Sequence, residues 1–134
     1  MELNWDISKC FEHVQKEQLN YLAVALGYPL TVLHLSLANY AWLRRLRGTV
    51  GMVTQQIGAS RGIVAGLAFA CYELIAYMYA ATRCVLRCGV YLSVHVDDLA
   101  MTYTHFRARQ SLRTFQRAAA VMVVEFEQQL GVPF

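Results

Sequence analysis

The fold is decided by the stretch VYLSVHVDDLAMTY, residues 90–103. β-Branched and aromatic residues predict one strand over Val90–Val96 and a partner strand over Leu99–Tyr103. Asp97 and Asp98 lie between the two strands, where a tight hairpin would reverse the chain. Aspartate is common in turns because its side chain hydrogen-bonds the nearby backbone, so this pair alone predicts only a turn.

The segments on either side of this hairpin predict helices and one more strand. Leu3–Ile7 has the pattern of a short strand. Apolar spacing and helix-stop signals predict helices over Phe11–Leu26, from Pro29 to about Arg47, from about Gly62 to Arg83 with Ser60 as its cap, and from about Phe106 to Leu130. Glycines among Val and Thr predict an extended or hairpin segment over Thr49–Ile57. This order predicts an α+β fold, in which helices pack on one face of a small antiparallel sheet.

Composition adds an excess of apolar surface and two groups of arginines. The 134 residues are 57% hydrophobic and 16% charged, so more surface than usual is expected to be covered by a partner or by lipid. The net charge of +3 is too small to indicate nucleic acid by itself. The arginines form two clusters, either of which could contact a polyanion or simply be a solvated helix face: Arg44, Arg45 and Arg47; Arg107, Arg109, Arg113 and Arg117.

The cysteines predict an intracellular protein. Cys10, Cys71, Cys84 and Cys88 form no CxxC pair and no zinc-type spacing with histidine. Free thiols in a reducing compartment are the expected state. The first ten residues lack the apolar core of a signal peptide. Sequence does not distinguish nucleus from cytoplasm.

A membrane-spanning helix is the alternative for residues 63–82. Glu73 is the only charge in this stretch, whose length is close to that needed to span a bilayer. A carboxylate near mid-bilayer would cost about 2.5 kcal/mol or more, and Tyr72, Tyr77 and Tyr79 prefer interfaces. A buried core helix is the favoured interpretation, and the partners predicted below include no membrane.

The three aspartates are the most informative residues. Asp6 ends the first predicted strand, and Asp97 and Asp98 occupy the predicted hairpin. Phosphoryl transfer by two magnesium ions needs carboxylates from adjacent strands, because the ions lie about 3.5–4 Å apart. Magnesium is held by few protein carboxylates together with substrate phosphates. This placement meets the requirement of a two-metal site, although the aspartate pair taken alone predicts a plain turn.

Three motifs resemble those of reverse transcriptases and occur in that family's order. VHVDDL at 94–99 resembles the YxDD hairpin. WDISKCF at 5–11 resembles the first metal-binding motif, an aspartate followed five residues later by an aromatic, and SRGIVAG at 60–66 resembles the glycine motif between them. The chain departs from the pattern at His95, where the family has tyrosine, and at Arg61, where glutamine is common. The resemblance is closest to retroelement and group II intron enzymes.

This resemblance implies that residues 1–134 are a partial domain, the palm of an RNA-directed DNA polymerase, with the fingers before it and the thumb after it absent. Asp6 and Asp97 would ligate two Mg²⁺ ions, which Mn²⁺ can replace. The Ile7 carbonyl would complete one coordination shell, and Asp98 would add negative charge beside them. The implied partners are an RNA template, a DNA primer and deoxynucleoside triphosphates.

The resemblance also implies four substrate contacts. Phe11 would lie beneath the sugar and exclude a 2′-hydroxyl, Arg61 would contact phosphate, and His95 would touch the primer end. Gly62 would let the backbone approach nucleotide and template closely. The competing interpretations are a catalytically inactive retroelement fragment or nucleic-acid-binding remnant with the same fold, and a small helical membrane protein.

Overall fold

The computed structural model describes residues 1–49, 51–104 and 108–134. In this part of the chain there are three strands and five helices, one helix more than predicted, and the last helix ends in a wide π-helical turn. The elements are β1 (Glu2–Asp6), α1 (Cys10–His13), α2 (Lys16–Ala25), α3 (Leu30–Ala41), α4 (Ala70–Leu86), β2 (Tyr91–His95), β3 (Asp98–Thr102), α5 (Ala108–Val123) and the π turn (Val124–Gln129). The predicted α+β class is confirmed.

The sheet is antiparallel, with β3 at its centre between β1 and β2. Residues alternate between its two faces along each strand. Leu99 and Met101 of β3 are buried, and Trp5 and Val94 pair with Leu99 on the same face. On the other face the paired residues are polar or small and mostly exposed. One face therefore packs into the core and the other is open, as predicted.

The β2–β3 hairpin closes through the two residues Val96 and Asp97. Val96 has a φ of 58°, which is uncommon for a β-branched side chain and costs about 1–3 kcal/mol. Positive φ at the first loop residue alone is the pattern of a type II′ turn, which suits a hairpin. The prediction placed both aspartates in the turn; instead Asp98 begins β3, where it pairs with His95.

The first predicted helix is interrupted at Val14 and Gln15, so the prediction of one helix over Phe11–Leu26 is wrong. Gln15 has an extended backbone. The Val14 carbonyl accepts a hydrogen bond of 2.8 Å from the Gly62 N–H at this break. A contact distant in sequence thus lies between α1 and α2.

The second predicted helix ends at Ala41 rather than near Arg47. Beyond it the backbone makes two isolated antiparallel bridges, Arg44 with Ile57 and Arg47 with Val53. These bridges confirm a hairpin-like segment, one that begins earlier than predicted; Val50 lies outside the described residues. Pairing across this loop competes with further helix, because a backbone group can serve only one of the two.

The third predicted helix begins at Ala70 instead of Gly62. Gly62 and Gly66 have φ values of 87° and 89°, in the left-handed region that a right-handed helix excludes. Ser60 therefore caps no helix.

Among the described helices, none combines the length and apolarity needed to cross a membrane.

The last predicted helix is confirmed as α5 and the π turn, although Phe106 and Arg107 lie outside the described residues. After the π turn, the tail folds back on the start of the chain. The Ser8 N–H donates to the Pro133 carbonyl at 3.1 Å. The Phe134 ring lies 6.0 Å from that of Trp5 and 5.8 Å from that of Phe126. The tail thereby braces the loop that follows β1.

The helix α4 packs in the core even though it carries Glu73, because a buried hydrogen bond accommodates this side chain. The Glu73 side chain is fully buried, and the buried Tyr40 hydroxyl donates to Glu73 Oε2 at 2.5 Å. The other carboxyl oxygen, Oε1, is buried without a hydrogen-bond partner among the described residues. Burial, followed by the hydrogen bond to Glu73, raises the pKa of Tyr40 above its ordinary value. Since the folded pKa is raised, this tyrosine contributes stability below about pH 10 that is lost as the pH rises further.

Replacing Tyr40 by Phe should lower the free energy of unfolding by about 2–3 kcal/mol, because it leaves a buried carboxyl without a donor. The double change Tyr40→Phe with Glu73→Leu should cost less than the single change, since both polar partners are then gone. Urea denaturation measures both. Tyr21→Phe, at a 73% exposed side chain, is the control. A Tyr40→Phe loss no larger than that of Tyr21→Phe would contradict the assigned role.

Candidate functional site

Three polar side chains form a row at one end of the open sheet face. Asp6 of β1 pairs with Asp98 of β3, which pairs in turn with His95 of β2. Directly paired residues of antiparallel strands have Cα atoms about 4.5–5.5 Å apart and point to the same face. All three side chains are exposed. The strand register thus brings together two carboxylates and an imidazole that are far apart in sequence.

Asp97 adjoins this row from the hairpin turn. Its carbonyl accepts a hydrogen bond of 2.8 Å from the Ile7 N–H, which ties the end of β1 to the turn. Its exposed carboxylate lies near the Cys10 thiol. Burial, and secondly the negative charge of Asp97, raise the pKa of Cys10 to about 12. Cys10 Sγ also lies 3.9 Å from the Val96 carbonyl, so the start of α1 lies against the hairpin.

The donor atoms at this edge suit magnesium. Carboxylate and carbonyl oxygens are hard ligands of the kind that Mg²⁺ and Mn²⁺ prefer, and Asp6, Ile7, Asp97 and Asp98 supply them along one edge of the sheet. Across residues 1–49, 51–104 and 108–134, no three His, Cys, Asp or Glu side chains are gathered closely enough to hold one ion. Binding of an ion here would therefore require the described carboxylates to lie closer together than they do in this structure.

Gly62 packs on the backbone of α1. Its N–H donates to the Val14 carbonyl at 2.8 Å, and the Ile63 N–H donates to the Phe11 carbonyl at 2.9 Å. A Cβ at position 62 would lie 3.1 Å from the Glu12 carbonyl oxygen. The expectation was a glycine that lets the backbone approach a nucleotide; the close approach in the structure is to α1. Contact with a nucleotide stays a prediction.

Phe11 and Arg61 lie on the two sides of this contact. Phe11 is half-buried and packs against the core. Arg61 is exposed and lines an open groove of about 420 Å³ together with Glu12 and Arg44. The backbone contact between residues 62–63 and α1 thus brings Phe11, Arg61 and Gly62 into one cluster of neighbouring backbone positions. Because Phe11 directly follows Cys10, this cluster adjoins the carboxylate edge.

Two residues important to this arrangement are missed by the sequence analysis. Lys16 Nζ donates to the Tyr40 carbonyl at 2.8 Å and to the Ala59 carbonyl at 2.6 Å, which fixes the segment before Arg61. The buried Tyr77 hydroxyl lies 2.8 Å from the Leu130 carbonyl oxygen, joining α4 to the end of the π turn. No motif marks either residue. For Tyr77, the only sequence signal of a structural role is its position among the apolar residues of the predicted helix.

The fold matches that of apo telomerase from Candida tropicalis, solved in a form truncated from the C-terminal domain. The TM-score is 0.62 at 11% sequence identity, and the match covers 98% of this chain and 28% of that one. The chain has a telomerase-like fold. No family model matches the sequence, and neither does any curated protein.

The likeness confirms the predicted architecture, because telomerase is a polymerase of the reverse-transcriptase type. At this level of identity the likeness concerns the fold alone. It does not support the group II intron lineage that the motifs predict, nor does it address catalysis. The chain spans 28% of the length of the telomerase that it matches.

Replacing Gly62 by Ala should destabilise the fold more than replacing Gly66. Both glycines have nearly the same positive φ, which costs an alanine about 1–2 kcal/mol. Only at Gly62 does the new Cβ also meet backbone, whereas at Gly66 nothing lies within 4 Å. Urea denaturation should therefore show a loss about 1 kcal/mol or more larger for Gly62→Ala, in the range of overpacking. Equal losses would show that the approach to α1 is not close.

Proposed function

We propose that this chain is the catalytic palm of an RNA-directed DNA polymerase, which transfers a deoxynucleotide from its triphosphate to a primer 3′-hydroxyl. The observation that carries the proposal is the pairing of Asp6 with Asp98, together with the hydrogen bond from Ile7 to the Asp97 carbonyl. These backbone contacts bring positions 6, 97 and 98 to one end of the sheet in a telomerase-like fold, which supports the proposal. The motif resemblance independently selects the same three residues.

The aspartates would act as metal ligands. Asp6 and Asp97 would hold two Mg²⁺ ions between them, with Mn²⁺ as a substitute, and the Ile7 carbonyl would complete one coordination shell. When bound, the ions supply charge neutralisation at the phosphates and a lowered pKa for the primer hydroxyl. Asp98, paired beside Asp6, would add negative charge that favours cation binding. The work of the protein is then positioning and electrostatic stabilisation.

The second cluster would position the incoming nucleotide. Arg61 is exposed in a groove beside Gly62 and can reach a phosphate without losing a carboxylate partner, since no ion pair of Arg61 occurs among the described residues. Phe11, half-buried in α1, would lie beneath the sugar and exclude a 2′-hydroxyl. His95, in the row with Asp98, would touch the primer end.

The partners proposed for this chemistry are an RNA template, a DNA primer and deoxynucleoside triphosphates. A palm aligns the reacting atoms but needs fingers and a thumb to hold the duplex, so activity is expected from a longer chain. A retroelement origin follows from the motifs alone. The competing interpretation is a remnant that keeps the fold but has lost catalysis, and it is the alternative that the next experiment separates.

The test is primer extension by this chain joined to the fingers and thumb of a polymerase of the same fold. Asp97→Asn should lower Mg²⁺-dependent extension on the order of a hundredfold or more, because it removes a charged ligand shared by both ions. Glu2→Gln is the matched control. It removes a carboxylate from the strand and face that carry Asp6, about 13 Å from Asp6 along β1, and should leave extension unchanged.

Extension that survives Asp97→Asn would contradict the catalytic assignment. An intact joined protein that binds template and primer but extends neither with Mg²⁺ nor with Mn²⁺ would favour the inactive remnant.

A further inference from the structure

The outward face of α5 carries three arginines in a line, here called the arginine stripe: Arg109, Arg113 and Arg117. All three side chains are exposed. They recur every four residues, so they fall within an arc of about 80° and rise about 6 Å from one to the next. The residues of α5 that face the core lie on the opposite side of the helix: Ser111, Phe115, Ala118 and Met122.

Among the residues that the structure describes, no carboxylate forms an ion pair with the stripe. Residues 108–123 contain no Asp or Glu, and within the described ranges the one ion pair joins Lys9 to Glu12. Like charges four residues apart destabilise a helix, and Arg109 in the first turn also faces the positive end of the helix dipole. A helix face that serves solubility alone would gain from mixed charges, so a uniformly positive stripe indicates a negatively charged partner.

The chemistry of the stripe fits phosphate. Guanidinium groups are always charged and present paired N–H donors that match phosphate oxygens. The exposed side chains between the arginines are Gln110, Leu112 and Gln116, and none of these is aromatic. Binding of single strands relies on bases stacked on aromatic rings. The described part of the stripe, with arginines and no aromatic side chain between them, therefore favours the backbone of a duplex over the bases of a single strand.

We propose that the arginine stripe binds the phosphate backbone of a nucleic-acid duplex, independently of base sequence. This surface belongs to α5 and is distinct from the sheet edge that carries Asp6, Asp97 and Asp98. The proposal goes beyond the polymerase chemistry and requires neither metal nor catalysis.

A second pair of arginines on α4 provides a matched control. Arg83 and Arg87 are exposed and also lie four residues apart. The Arg83 guanidinium lies over the Tyr79 ring, 6.0 Å from its centroid. Arg87 and Glu125 both lie near the Cys84 thiol, so a negative charge is close to this pair. Equal numbers of positive charges can thus be removed from two helices that differ in their surroundings.

The experiment measures binding of the full chain to a fluorescent DNA duplex of about 20 base pairs, by anisotropy at several salt concentrations and without divalent metal. Arg113→Gln with Arg117→Gln should weaken binding about tenfold or more at low salt. It should also reduce the slope of log K against log salt by about 2, since each phosphate contact contributes about 0.9. Arg83→Gln with Arg87→Gln should leave the slope within about half a unit of the original.

Circular dichroism establishes whether each variant is folded. If the double variant is unfolded, Arg113→Gln alone replaces it, with an expected slope change of about 1. Glu2→Gln, which also removes one negative charge but lies outside the stripe and the proposed metal ligands, should leave the slope unchanged. Because this assay contains no divalent metal and the extension assay requires it, failure of the stripe and failure of the polymerase assignment are distinguishable. Equal losses in the α4 and α5 variants, or a loss in neither, would overturn the proposal. So would tighter binding of a single strand than of the duplex. A stripe variant that loses only its binding to phosphatidylserine vesicles would overturn it in favour of a membrane surface.

Discussion

The hydrogen bond from the Ile7 N–H to the Asp97 carbonyl, 2.8 Å long, joins the first strand to a hairpin from the far part of the chain. It continues the pairing of β1 with β3, which places Asp6 opposite Asp98. A slip by one residue would turn every side chain of β1 to the other face, and would expose Trp5 while burying Asp6. The same pairing constrains the hairpin in which Val96 keeps its positive φ. The tail reinforces this junction through Pro133 and Phe134.

One face of the sheet is buried in the core, and the other face and parts of the helices form the exposed surfaces. One sheet face is covered by a core that includes α4, where Tyr40 supplies the donor that lets Glu73 be buried. The open face presents the polar row, and the segment around Gly62 brings a second cluster next to it through α1. This arrangement of sheet and helices belongs to the telomerase-like fold. The metal chemistry proposed for the edge and the duplex binding proposed for α5 use different surfaces, so each can be correct without the other.

The sequence predicts those parts of the fold that local pattern controls. Strand alternation and the paired aspartates locate the hairpin, and apolar spacing locates α5. Prediction from the sequence fails where a contact between distant residues decides where a helix begins or ends. The break at Val14 coincides with the hydrogen bond from Gly62, and α4 starts late because Gly62 and Gly66 have positive φ. The aspartates and their shared edge follow from the motifs. The anchoring role of Lys16 does not, because its acceptors, the Tyr40 and Ala59 carbonyls, are backbone groups that carry no sequence signal.

The measurement that tests the central claim most directly is a Mn²⁺ titration of the full chain, followed by paramagnetic broadening of backbone amide NMR signals. The account predicts that amides at Asp6, Ile7, Asp97 and Asp98 broaden first and together, and that Asp97→Asn removes this effect. Mn²⁺ at the junction of β1 with the hairpin would establish the sheet edge as a metal site. Broadening that begins elsewhere, or that Asp97→Asn leaves unchanged, would contradict a metal site built from these carboxylates.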